Sequence, residues 1–113
     1  MYKVIISELV NIKIDNFINS YTNTFLERFN DTWIFDEYII TQRYKEKSIQ
    51  FNNEIYLSIQ KKLSEENIYW YRINENKETE CIIFIWNYMV ILWYKEDKKS
   101  KLRLLEYIIF NKK

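Results

Sequence analysis

The spacing of apolar residues changes twice along this chain, and those changes divide it into elements. The run "YKVIIS" (2–7) is apolar and β-branched, which predicts a first strand. Ser7 then offers an N-cap, with Glu8 in the first turn, where a carboxylate suits the helix dipole. Val10, Ile14, Phe17, Ile18, Tyr21 and Phe25 follow at helical spacing and predict a helix to about Phe29. "NDT" (30–32) offers a break and a new cap. Ile34, Phe35, Tyr38 and Ile39 begin a second amphipathic stripe, which weakens near "KEKS" (45–48). Phe51, Ile55, Ile59 and Leu63 resume it in four-residue steps. Over 33–64, one kinked helix and two helices fit the pattern equally.

From Asn67 the period shortens. "IYWYRIN" is aromatic and β-branched, "ENKE" (75–78) is a polar turn, and "TECIIFIW" (79–86) is a strand. "NY" offers a tight turn, and "MVILWYKE" (89–96) is the next strand. After "DKKS", the stretch "KLRLLEYIIF" (101–110) suits a last strand or a helix, and the strand is favoured. "CIIFIW" and "MVILWY" are apolar at consecutive positions, as in strands buried on both faces or meeting a partner on one. The order is therefore one strand, two or three helices, then an antiparallel sheet of three to four strands. This predicts a two-layer α+β fold in a single domain over 1–113. The helices would cover one face of the sheet and leave the other as the natural binding surface.

Composition narrows the chemistry. The chain is 48% hydrophobic and 19% aromatic, enough for a core and unlike a disordered segment. It contains no Gly, Pro, Ala or His. Ile, Asn, Lys, Tyr and Phe dominate, which are residues of AT-rich codons, so the Asn and Tyr excess is not read as function. Without Gly there is no phosphate-cradling loop, dinucleotide fingerprint or serine nucleophile elbow. Without His there is no Ser–His or Cys–His pair and no imidazole metal ligand. No metal and no cofactor is expected. The single Cys81 excludes an internal disulfide and lies in an apolar run, so it is expected to be buried and inert. No signal peptide is recognised, and the longest apolar stretch, Cys81 to Tyr94, is shorter than the roughly 20 residues a membrane helix needs. The expectation is a soluble, cytoplasmic protein with no membrane partner.

The net charge of +1 is unevenly spread: residues 1–94 carry −3 and residues 95–113 carry +4. The basic cluster is "KEDKKSKLR", either a patch for phosphate or an acidic partner, or a solvated turn. In "YWYRI" (69–73), strand alternation puts Trp70, Arg72 and Asn74 on one face. Arg72 there would bind phosphate or a carboxylate, or would pair with Glu78 or Glu80 across the hairpin. Trp70, Trp86 and Trp93 with Tyr94 are either core or a stacking platform for bases. The acid pairs Asp36–Glu37 and Glu65–Glu66 read as solvated or capping charges.

The order strand, helix, helix, meander resembles the RelE/ParE superfamily of toxins from bacterial type II toxin–antitoxin modules. "VIISELVNIKIDNF" looks like the opening of that group, and "WYRIN" resembles its second strand, with an aromatic-Arg-aliphatic run. The resemblance implies a toxin neutralised by a cognate antitoxin protein. RelE-like members cleave mRNA in the ribosomal A site without a metal, using Lys, Arg and Tyr in place of His around an attacking 2′-hydroxyl. ParE-like members poison DNA gyrase through protein contact. Arg72 matches the strand arginine that stabilises phosphate charge in the nuclease members, a role a guanidinium suits. The basic-plus-Tyr motif at their C-terminal end has no clear counterpart; Tyr94, Lys95 and Arg103 carry suitable chemistry and complete the catalytic candidates. The expected contact surface is Trp70, Arg72, Lys98, Lys99, Lys101 and Arg103.

Whether the protein is an enzyme stays open at this point. The alternative is a non-catalytic interaction module of a phage or mobile element, such as an inhibitor of a host defence enzyme. A small RNA-binding module using the sheet aromatics is a third reading. Uncovered hydrophobic strands also make a homodimer through the sheet or its edge an expectation.

Overall fold

The computed structural model describes residues 1–30, 37–69, 71–73, 75 and 77–112. Strand β1 (Lys3–Ile6) leads into helix α1 (Glu8–Asn30), which is followed by helix α2 (Glu37–Ser64). Then come β2 (Arg72–Ile73), β3 (Thr79–Ile85), β4 (Tyr88–Asp97) and β5 (Leu102–Lys112). The sheet order is β1-β5-β4-β3-β2, with β1 parallel to β5 and every other pair antiparallel. The fold is thus α+β, with a five-stranded mixed sheet and two helices among the described residues.

The local signals act as read. Ser7 caps α1, its Oγ accepting from the Val10 N–H at 3.3 Å. From Glu37, α2 runs unbroken to Ser64, so the stripe that weakens at 45–48 belongs to one helix. Of the expected break at 30–32, Asn30 is the last residue of α1 and positions 31–32 lie outside the described residues, as do Ile34, Phe35, Trp70 and Asn74. The stretch 101–110 lies in strand, apart from Lys101 in the preceding turn. Among the described residues of the aromatic run at 69–73, only Arg72 and Ile73 pair, and Tyr69 and Tyr71 are exposed.

The core lies between the helices and one face of the sheet. Val10 and Ile14 of α1, with Phe51, Ile55, Ile59 and Leu63 of α2, bury fully against Cys81, Ile83 and Ile85 of β3, Val90 and Leu92 of β4, and Leu105 and Ile108 of β5. Each such aliphatic side chain contributes about 1.5–3 kcal/mol. Phe17 stacks parallel on Phe110 at 4.0 Å and meets Phe51 edge-on at 5.5 Å, tying α1 to β5 and α2. Between the helices, Thr22 and Ser48 hydroxyls lie 2.5 Å apart, and Tyr56 donates to Asn11 at 2.8 Å.

A chain without glycine must close its turns with other residues. Lys77, Trp86 and Lys101 take positive φ of 61°, 52° and 53°, where a side chain crowds its own backbone at a cost of about 1–2 kcal/mol. Helix α2 likewise ends with no glycine cap. Its last carbonyls are met from β5 and from the residue before β1: the Tyr2 N–H donates to Ser64 O at 3.1 Å. Arg103 donates to Leu63 O at 2.8 Å, to Glu65 O, and to Glu66 O at 3.3 Å.

Candidate functional site

Alternation along β3, β4 and β5 sends every second side chain away from the helices. On that side β3 presents Glu80, Ile82 and Phe84, and β4 presents Met89, Ile91, Trp93 and Lys95. A register shift at Trp93/Tyr94 inserts one extra residue in β5. Tyr107 pairs with Trp93 while Leu105 pairs with Tyr94, so Glu106 and Tyr107 share the open side. Ile109, Leu104 and Ile5 of the parallel edge strand complete it. Neither described helix covers this face. Phe84 is 62% exposed, and Ile5 and Ile82 are also exposed.

The face is apolar and aromatic at its centre and charged at its rim. Trp93 and Tyr107 meet edge to face at 5.6 Å. With Ile109, Glu78 and Glu106 they line a shallow depression of ≈490 Å³. The ammonium of Lys13, from α1, sits 4.4 Å above the Tyr107 ring at the sheet edge. Lys95 pairs with Glu106 at 3.4 Å. Four strands about 4.8 Å apart, over about seven residues of about 3.4 Å each, make this a face of roughly 450 Å². That area includes the charged rim; its apolar centre falls within the roughly 300–600 Å² of the largest patch on a typical monomer, which is often functional.

The expected site residues do not gather in one place. Arg72 stands at the far edge of the open face, 84% exposed, and pairs with Glu80 directly opposite at 3.9 Å. Lys98 and Lys99 are exposed in the β4–β5 turn, where Asp97 accepts from the Lys99 N–H at 3.0 Å and the Ser100 N–H at 3.5 Å. The Ser100 hydroxyl and those amides hold the Asp97 carboxyl below its ordinary pKa. Lys101 points to Glu66 at 3.3 Å, which also pairs with the N-terminal amine. The amine first, and Lys101 second, lower the Glu66 pKa.

Two expected surface residues are interior. Arg103 is 2% exposed. Besides capping α2, it donates to Glu96 Oε1 at 2.8 Å and lies 3.7 Å from the Tyr2 ring centroid. Tyr94 is buried on the helix side, and burial drives its pKa up. The expectation that these two serve as contact or catalytic groups at the surface is therefore corrected. Each points to the helices because the buried parity of β4 and β5 runs through them.

The aromatic platform is also split. Trp93 faces the open side, Tyr94 faces the core, and Trp86 leans on Phe51 at 4.2 Å from the β3–β4 turn. Cys81 is buried, and desolvation raises its thiol pKa to about 11.

The residues that make the open face, Ile82, Phe84, Ile91, Tyr107 and Ile109, are not among the expected contacts. For Ile82, Phe84 and Ile91 the signal was the doubly apolar run in "CIIFIW" and "MVILWY", read as buried on both faces or meeting a partner on one; Tyr107 and Ile109 lie outside those runs. Among the described residues, no three His, Cys, Asp or Glu side chains converge as metal ligands. No described helix is long and apolar enough to cross a membrane. Comparison with protein-family models, with curated proteins and with solved structures gave no match.

Proposed function

We propose that this chain is a toxin-type protein of the RelE/ParE kind that acts by gripping a partner macromolecule rather than by cutting RNA. The observation that carries this reading is the open sheet face, apolar and aromatic at its centre, with its rim charges set in opposite-sign pairs. A surface built to follow an RNA backbone needs unbalanced positive charge. One with an aromatic centre and a balanced rim suits a protein. The succession strand, two helices, meander is the one on which the family resemblance rests.

The nuclease reading loses support residue by residue. Tyr94 and Arg103 are interior, while Arg72 and Lys95 each sit beside a carboxylate. The target is then of the gyrase type, reached in the cytoplasm, and a cognate antitoxin protein silences the toxin. A non-catalytic inhibitor from a phage or mobile element would use the same face. It is the second reading.

The test is inducible expression in a bacterial host of wild type, an Ile82→Glu/Phe84→Glu double variant and Arg72→Ala, scoring growth and mRNA integrity. Growth arrest with intact mRNA, relieved by the double variant and not by Arg72→Ala, is the expected result. Arrest with cleaved mRNA, relieved by Arg72→Ala, overturns it in favour of a nuclease. Normal growth with soluble wild-type protein moves the reading to the inhibitor.

A further inference from the structure

A second concave site lies on the helix side of the sheet, where α1 and α2 meet the β3–β4 turn. Its volume is ≈390 Å³, within the range of about 300–1,000 Å³ typical of small-molecule sites. Its walls are rings: Phe51 is fully buried at its base, Trp86 packs on Phe51 at 4.2 Å, and Tyr21 and Tyr88 are half-buried beside them. Trp86 keeps about two-fifths of its surface exposed, so indole remains available for a further ring. Two cations from different elements line the same cavity, Lys47 of α2 and Lys112 of β5, and both are exposed.

The backbone points to the same place. Trp86 opens a two-residue hairpin turn at φ 52°, a position that glycine, asparagine or aspartate fills without crowding. Asparagine is abundant in this chain and stands at the very next position, Asn87. A bulky indole held instead at a crowded backbone, with its ring on the rim of a cavity, is the kind of strain found at ligand sites.

We propose that this cavity binds a nucleotide, its planar base stacked on Trp86 and its phosphate directed to Lys47 and Lys112. Stacking on exposed indole tolerates any base, and lysine meets phosphate as a point charge. Ser20 and Thr24, one helical turn apart on α1, and Asn87 supply hydrogen-bonding groups on the lining for the base edge or sugar. Burial and the neighbouring Tyr88 push the Tyr21 pKa up, so its phenol stays a donor. A free nucleotide and the end of an RNA strand share this chemistry. The site is separate from the open face and does not depend on the partner proposed for it.

The test is titration of the isotope-labelled full chain, followed by amide and indole NMR signals, with 5′-AMP, adenosine, inorganic phosphate and 5′-phosphorylated tetra-adenylate. Saturable shifts at the Trp86 indole and at Tyr21 and Tyr88 with 5′-AMP are expected, with Ile82 and Phe84 unmoved. Adenosine should bind about ten-fold more weakly. Trp86→Gly suits the turn's positive φ and removes the stacking surface. Lys112→Glu alters an exposed side chain. Each should weaken 5′-AMP binding about ten-fold or more. Tighter binding of the tetranucleotide would identify a strand end as the ligand, and tighter binding of 5′-AMP a free nucleotide. Shifts reproduced by phosphate alone, no shift at millimolar 5′-AMP, or binding unchanged by both substitutions would overturn the proposal.

Discussion

The two faces of this sheet are made from nearly the same residues and have opposite fates. On β4, Leu92 is fully buried, while its neighbour Ile91 turns to the uncovered side. The two arginines of the sheet differ more sharply. Arg103 is enclosed by helix-terminal carbonyls, a carboxylate and a tyrosine ring, whereas Arg72 is 84% exposed with one loose partner. What separates them is the element above each: α2 ends over one, and no described element lies over the other. Hydrophobicity therefore does not say which side of a strand is structural, and a positive charge does not say which arginine is available to a partner.

Breaking the arginine contrast should give the largest effect. Arg103→Ala leaves Glu96 and three carbonyls of the α2 terminus without their donor, and should lower unfolding stability in urea by about 3–5 kcal/mol. Arg72→Ala should stay within about 0.5 kcal/mol of wild type. If Arg72→Ala costs as much as Arg103→Ala, the open face is structural and the comparison fails.

The aliphatic pair on β4 comes next. Leu92→Ala should cost about 2–5 kcal/mol by emptying a filled core site. Ile91→Ala should cost well under half of that, and it should raise solubility by thinning an exposed apolar surface.

Alkaline pH sharpens the contrast without mutation. Cys81 has a thiol pKa raised to about 11 by burial. The unfolded chain releases that proton first, at a pKa of about 8.5, so the protonated thiol favours the native state less as pH rises. Stability should fall by up to about 1.4 kcal/mol per pH unit between about pH 9 and about pH 11 from this group. Cys81→Ala should remove that component of the slope, measured by urea unfolding across the range. In the native state Cys81 should react with a thiol reagent far more slowly than in denaturant.

The smallest effect is a gain. Lys77→Gly, at a φ of 61° and exposed, should stabilise by up to about 1 kcal/mol in thermal or urea unfolding. No change there would mean that the crowding is relieved locally.

Much of the architecture was legible because its signals are local. The Ser7 cap, the four-residue steps from Phe51 to Leu63 and the apolar runs of β3 and β4 each depend on neighbours in sequence, and each gave its element. The continuity of α2 through 45–48 was not legible, since a weakened stripe looks the same in a kinked helix as at a boundary. Face assignment was the larger failure. In "KLRLLEYIIF", Leu102 and Leu104 flank Arg103, and strand alternation then reads the arginine as outward. The reverse holds because a helix end without glycine needs donors, a requirement that belongs to Leu63, Glu65 and Glu66 about forty positions earlier. The bulge at Trp93/Tyr94 hid the second half of β5 in the same way, by resetting which residues share a side. Asp97, Lys98 and Lys99 were correctly placed in or beside a turn, but a turn lysine carries no mark of whether it meets a partner.

The parallel pairing of β1 with β5, Lys3 opposite Leu102, carries a consequence for synthesis. As the chain leaves the ribosome, β1 emerges early and has no strand to pair with until nearly a hundred further residues have followed. Helix α2 likewise waits for Arg103, and Phe17 of α1 waits for Phe110. The nascent chain must therefore carry α1 without its ring partner, α2 with its last carbonyls unmet, and an unpaired edge, until one strand arrives and satisfies all three at once. Such a high contact order makes for late, all-or-none closure. Truncation ahead of Leu102 should leave a chain that is captured by chaperones or degraded, not a smaller folded protein.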